Sequence, residues 1–364
     1  MHVLAWLLCV LEVVWGQPVF SKILNKKPYI YTRILSIDGG GVRGVVPAVL
    51  LSYLEEKLQQ FDDNPDARLA DYFDLFAGTS TGGLIIAGLL TPDENGRPQY
   101  TAMDIVDLYL KNAKKIFNSS LLQGIKSASG LLDVKYDAQG ANLVYEQYFG
   151  DHELKELLRP CLIPAYDLTM GKNYFFRQHK AVVSDRHNYY LKDVLRAATS
   201  AITYFPPAGI ATVNGKKACC FVDGGVFAVN PSLSAYAEFR YLHHSLYSKN
   251  TMMLSLGTGK QATYLDCADI EHWGAVEWRD PGSNLLTTAQ SEVANYQLKA
   301  VYNSNPNYLR LNPDIDQSHT TNLDNSEDEH LDFLYHLGKQ ACMDNQKEIN
   351  AFARSLIQSN KNRK

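Results

Sequence analysis

The chain has 364 residues, 46% hydrophobic and 20% charged, which is enough apolar material to bury a large core and excludes a disordered or collagen-like polymer. A net charge of −4 and a pI near 6.2 leave no basic footprint for nucleic acid. Six cysteines (Cys9, Cys161, Cys219, Cys220, Cys267 and Cys342) form no C-x-x-C pair and no compact disulfide pattern, so they read as ordinary thiols.

In chain order, Val3 to Leu11 is an apolar run too short to span a bilayer, broken by Glu12 and resumed at Val13. Gly16, with Val14 two places before it, makes a tolerable signal-peptidase site, although no Lys or Arg precedes the run. Residues 1–16 fit two readings. A cleaved signal peptide sends the protein to a secreted or vacuole-like compartment; an N-terminal apolar helix leaves it cytoplasmic or membrane-peripheral. Under the first, Asn118-Ser119-Ser120 is an acceptable glycosylation sequon.

From Tyr29 onward short apolar runs alternate with helical periods, the signature of α/β architecture, and no linker splits residues 29–358. Ile34 to Asp38 reads as a buried strand entering Gly39-Gly40-Gly41, and Val46 to Phe61 as an amphipathic helix with Pro47 in its first turn. Tyr72 to Ala77 is strand-like, Gly78 to Gly83 a turn, and Leu84 to Leu90 starts a helix so apolar that it is buried all round. Asp104 to Phe117 predicts an amphipathic helix with a solvated lysine face. Further strands are expected at 174–176, 219–222 and 252–256, and helical spacing runs from His330 to Ile357. Trp273 and Trp278 read as packing residues, with a membrane interface as the alternative.

Gly78-Thr79-Ser80-Thr81-Gly82 fits the G-x-S-x-G elbow between a strand and a helix. Gly78 and Gly82 permit a strained turn that lifts the serine hydroxyl out, and the helix start favours developing negative charge. A serine nucleophile needs a proton acceptor, and Asp223-Gly224-Gly225 places a carboxylate at the end of another predicted strand. Strand ends on one side of a parallel sheet gather into a crevice, so Ser80 and Asp223 are expected to meet there. Gly39, Gly40 and Gly41 offer backbone N–H groups as an oxyanion hole, with Arg43 adding positive charge.

Three competing patterns are weaker. Gly39-x-Gly41-x-x-Gly44 also satisfies the dinucleotide fingerprint, but no second strand ends in an acidic residue about twenty positions on. A phosphate-binding P-loop lacks its Gly-Lys-Ser/Thr. A Ser–His–Asp triad would draw on His272, His319, His330 or His336, none of which sits in a glycine-bounded strand-end loop. No metal-ligand spacing accompanies the boxes, and no cofactor is expected.

Asp38-Gly39-Gly40-Gly41-Val42-Arg43-Gly44, Gly78-Thr79-Ser80-Thr81-Gly82-Gly83 and Asp223-Gly224-Gly225, in this order, resemble the patatin family of lipid acyl hydrolases. Asp66 to Asp74, Ala198-Thr199-Ser200-Ala201, Tyr204-Phe205-Pro206, Asn230-Pro231 and Leu254 to Gly259 are similar to the plant storage patatins in particular. The resemblance implies a three-layer α/β/α fold with a mainly parallel sheet. It also implies a Ser80–Asp223 dyad without metal, and hydrolysis of fatty acyl esters of phospholipids or galactolipids with transient membrane contact. The alternative is a storage or binding protein on the same scaffold. The segments 124–140 and 272–282 diverge, and the pattern carries no sign of oligomeric state.

Overall fold

The computed structural model describes residues 32–118, 133–243 and 251–362, except positions 263, 304, 317, 320 and 321. Residues 1–16, and Ser119 and Ser120 of the sequon, lie outside them. Among the described residues no helix is long and apolar enough to cross a membrane.

One eight-stranded sheet organises the molecule. Its parallel centre is β1 (Thr32–Ile37), flanked by β2 (Leu75–Gly78) and β7 (Thr251–Leu256), with β3 (Cys161–Asp167) beyond β2 and β8 (Tyr308–Leu311) beyond β7. Three strands extend the β3 side in antiparallel fashion: β4 (Lys172–Arg177), β5 (Ala208–Ala211) and β6 (Ala218–Asp223).

The central strands are buried on both faces, which is why they read as continuous apolar runs instead of alternating ones. Leu35, Ile37, Phe76 and Leu254 point into the larger core. That core is closed by α1 (Val45–Phe61), α2 (Thr81–Leu90), α3 (Ala102–Ile116), α4 (Gln139–Phe149) and α6 (Leu191–Ala198); the short α5 (Gln178–Val183) adds Ala181. The C-terminal helices α9 (Asp328–Asp344) and α10 (Gln346–Lys361) pack onto the same layer, so the predicted run from His330 to Ile357 is two helices broken at Asn345. Ile34, Leu75, Ala77 and Met253 face the other way, against α7 (Ser232–His243) and α8 (Ala275–Tyr302). The architecture is therefore helix, sheet, helix, as expected.

On α3 the predicted division holds. Ile105, Leu108 and Ile116 are buried, while Lys111 pairs with Asp107 at 2.5 Å and Lys114 with Asp328 at 2.6 Å on the solvent side.

One expectation needs correcting. Asp223 does not end a strand parallel to β2, because β6 runs antiparallel to β3. β3 outruns its neighbour: Cys161 and Leu162 pair with Phe76 and Ala77, whereas Ala165 to Asp167 pair with Asp223 to Phe221. β6 thus runs back along the overhang and delivers its C-terminal residue toward the end of β2 from the opposite direction.

Candidate active site

The turn from β2 into α2 holds Ser80 at φ 53°, ψ −117°, a backbone region that non-glycine residues rarely adopt and that costs about 1–3 kcal/mol. The surroundings enforce it. A Cβ on Gly78 would stand 2.2 Å from the Gly82 carbonyl oxygen, and one on Gly82 would stand 2.4 Å from that of Ile37. Thr79 beside it is fixed by its N–H on the Ile37 carbonyl at 3.2 Å and by its hydroxyl on the Ala228 carbonyl at 2.6 Å. Ser80 is left half-buried, on the wall of a cavity, at the N-terminus of a fully buried helix. The positive end of that helix dipole faces any negative charge formed there.

Asp223 opens onto the same cavity and is 5% exposed. Burial pushes its carboxyl up to about 6; hydrogen bonds from the Ser80 hydroxyl and the Gly225 N–H, the latter at 2.7 Å, oppose the shift. Its own N–H donates to the Ser200 carbonyl at 3.0 Å, which anchors the strand end. An ordinary aspartate is too acidic to be an effective base near neutrality. Desolvation here moves one toward a useful value.

The glycine loop between β1 and α1 completes the site. A Cβ on Gly39 would lie 3.5 Å from that of Ser80, so the loop passes directly beside the serine. The Gly39 N–H, however, donates to the Val229 carbonyl at 2.9 Å, and the Arg43 N–H to that of Gly40 at 3.2 Å. Gly40 and Gly41 keep N–H groups with no partner among the described residues, which narrows the sequence-predicted set to these two donors. Both positions exclude a side chain: a Cβ on Gly40 would meet Thr258 Oγ1 at 2.2 Å, and Gly41 adopts φ 58° against the Leu323 carbonyl. Thr258 also donates its hydroxyl to the Gly39 carbonyl at 3.0 Å.

The Arg43 side chain is half-buried between the cavity and a smaller polar cleft. Desolvation lowers its guanidinium to about 10, with Asp38 acting in the other direction. Asp38 itself is taken by Arg310, whose Nη1 donates to Oδ1 at 2.8 Å and whose Nη2 lies 2.5 Å from Oδ2; Ser291 adds a hydroxyl at 3.0 Å. Arg310 was not a sequence candidate. It sits 272 positions from Asp38, and a lone arginine in a strand gives no local signal.

The cavity has a volume of about 700 Å³, and of its lining residues only Arg43 and Asp223 are charged. Its walls come from Ile116 of α3, Phe117, the 201–205 loop, Val226 and the first half of α8. Ile202, Val226 and Leu286 line it and are also 56%, 41% and 64% exposed, so the mouth is apolar where it meets solvent. Trp278 lines the wall and packs edge to face on Trp273 at 5.3 Å. None of His272, His319, His330 and His336 lines the cavity: His319 stacks on Phe333, and His336 pairs with Asp332 on the surface.

The profile of the patatin-like phospholipase family matches residues 35–236. Patatin-05 of Solanum tuberosum is 33% identical over 329 residues, covering 84% of this chain and 82% of its own. The chain belongs to the patatin-like phospholipase family. Patatin group A-2 of the same plant is 34% identical over the same coverage. Among solved structures, VipD from Legionella pneumophila is similar over 86% of this chain and 66% of its own, at 12% identity and a TM-score of 0.35, too distant to bear on the site. Membership brings lipid acyl hydrolase activity in general, and lipid substrates with it. The family match covers Ser80, Asp223 and the glycine loop, while α8 and Leu323 lie beyond it.

Proposed function

We propose that the protein hydrolyses fatty acyl esters of phospholipids or galactolipids through a Ser80–Asp223 dyad and an acyl-enzyme intermediate. The observation that carries this reading is the meeting of a strained serine and a desolvated aspartate at one mostly apolar cavity. The acyl chain occupies the cavity, and the polar end of the lipid turns toward Arg43 and the cleft beyond it. Ser80 Oγ attacks the ester carbonyl as its proton passes to Asp223. Negative charge on the tetrahedral oxygen is met by the Gly40 and Gly41 N–H groups and the start of α2. Collapse expels the alcohol, which takes the proton back from Asp223. Water then attacks the acyl-serine as Asp223 accepts its proton, and Asp223 returns that proton to Ser80 Oγ as the fatty acid leaves.

The apolar mouth at Ile202, Val226 and Leu286 supports delivery of substrate from a lipid surface by transient contact. That none of the four candidate histidines lines the cavity supports a dyad over a triad. The strain retained at Ser80 argues for an active enzyme over an inert storage scaffold, since such strain persists only where the surroundings over-determine it. A fluorophosphonate label with peptide mapping tests the proposal: stoichiometric modification of Ser80 is expected. Modification of a different residue, or none in an active preparation, would defeat it.

A further inference from the structure

The glycine loop has a support outside all three motifs. The Val42 N–H donates to the Leu323 carbonyl at 2.8 Å, and that same oxygen stands 2.0 Å from where a Cβ on Gly41 would be. Leu323 therefore braces the left-handed turn at Gly41 from outside. It lies in a turn between β8 and α9, beyond any helix or strand, so regular backbone pairing does not hold it in place.

What holds it is the next residue. Asp324 is buried, and its Oδ2 accepts the Tyr136 hydroxyl at 2.7 Å together with the Lys135 ammonium group. These two donors are stitched to the acyl-chain wall. The N–H groups of Lys135 and Tyr136 donate to the carbonyls of Thr203 and Tyr204 at 3.0 and 2.8 Å. The Tyr136 ring packs on Phe117 and Phe205 at 5.7 and 5.4 Å, and Phe117, Tyr204 and Phe205 line the cavity. A continuous path of contacts thus runs from the cavity wall through Asp324 and Leu323 to the loop carrying the Gly40 and Gly41 N–H groups.

We infer that Asp324 is a positioning residue: latched by Lys135 and Tyr136, it holds Leu323 against the Gly41–Val42 backbone and ties the aim of the oxyanion donors to the packing of the acyl-chain wall. The inference rests on the proposed role of the glycine loop. A buried carboxylate satisfied by one charged and one neutral donor is a stiff link, and removing it leaves two donors without their acceptor. Oxyanion donors act mainly on the transition state, so misaligning them lowers kcat and leaves substrate affinity largely intact.

The test compares the full-length wild type with Asp324→Ala, Asp324→Asn and Tyr136→Phe on p-nitrophenyl butyrate and p-nitrophenyl myristate, with thermal melting as a check of folding. Asp324→Ala is expected to lose kcat roughly 10- to 100-fold on both esters, with KM within about twofold of wild type. Asp324→Asn keeps an amide oxygen for the two donors and should recover part of the loss. Tyr136→Phe removes one hydroxyl and keeps the ring, so it should fold even where Asp324→Ala does not, and should lose about 3- to 10-fold in kcat. A normal kcat in folded Asp324→Ala, or in Tyr136→Phe if the alanine variant fails to fold, overturns the inference. So does a KM rise confined to the myristate ester with kcat unchanged, since Asp324 would then only shape the cavity. Ser80→Ala run alongside separates the two levels: if it is inactive while the latch variants are normal, only the latch falls; if it is active, the serine reading falls and the latch with it.

Discussion

Replacing Asp223 by asparagine should disable the enzyme and stabilise the protein, and the two effects share one cause. A carboxyl raised from an ordinary 3.8 to about 6 by burial binds its proton more tightly in the folded chain than in the unfolded one. At about 1.4 kcal/mol for each tenfold change in proton affinity, ionising Asp223 destabilises the fold by about 3 kcal/mol. The sign follows: the folded value is the higher, so this penalty is absent below pH 3.8, grows as pH rises through about 6, and is complete above it. Asparagine never ionises and escapes the penalty; the stronger Gly225 N–H bond to a carboxylate already opposes the shift and is contained in that figure. A gain of about 3 kcal/mol at pH 8 should raise the melting temperature by roughly 4 °C, and the gain should vanish toward pH 4. Scanning calorimetry across that range measures it. In the same variant turnover should fall about ten-thousandfold, while wild-type kcat/KM declines as pH drops through about 6, because the base must be ionised to act. An Asp223→Asn protein that melts at or below the wild type at pH 8, or whose difference from it is independent of pH, would refute the desolvation argument.

Ser80→Ala should leave the fold intact and remove turnover by several orders of magnitude, whereas single replacements of His272, His319, His330 and His336 should keep most of it; steady-state assays on a short-chain ester decide. Gly40→Ala drives a methyl group to 2.2 Å from Thr258 Oγ1, so kcat should fall at least about 100-fold as the donors move; near-normal turnover in a folded variant would make the loop purely structural. Ile202→Asp combined with Leu286→Asp charges the apolar mouth and should reduce hydrolysis of phosphatidylcholine vesicles about tenfold more than hydrolysis of a soluble ester, measured by fatty acid release. Among the described residues no three His, Cys, Asp or Glu side chains gather as a metal site, and activity should survive EDTA; loss restored by added calcium or zinc would contradict this.

The residues legible in the sequence are those where the backbone leaves no choice. Gly78, Gly82 and Gly41 are written as glycine because a Cβ would strike a carbonyl oxygen within 2.0 to 2.4 Å, and a steric prohibition of that kind survives as a motif. The buried strands β1 and β7 are equally readable, since a strand covered on both faces must be apolar throughout. What escaped has no such local rule. The residues of β6 mark its place along the chain but not its direction, because pairing sense depends on the overhang of β3 and leaves no trace in them. The cavity walls at Ile116, Phe117, Phe205 and Leu286 need only be apolar and of suitable size, a requirement much of the core also meets. Leu323 acts through its carbonyl oxygen, which every residue possesses, and Asp324 and Arg310 act through partners 188 and 272 positions away. A motif therefore records where chemistry is confined by sterics. The contacts that aim its donors and shape its pocket are set by tertiary structure, and only the folded chain brings them next to the motif they serve.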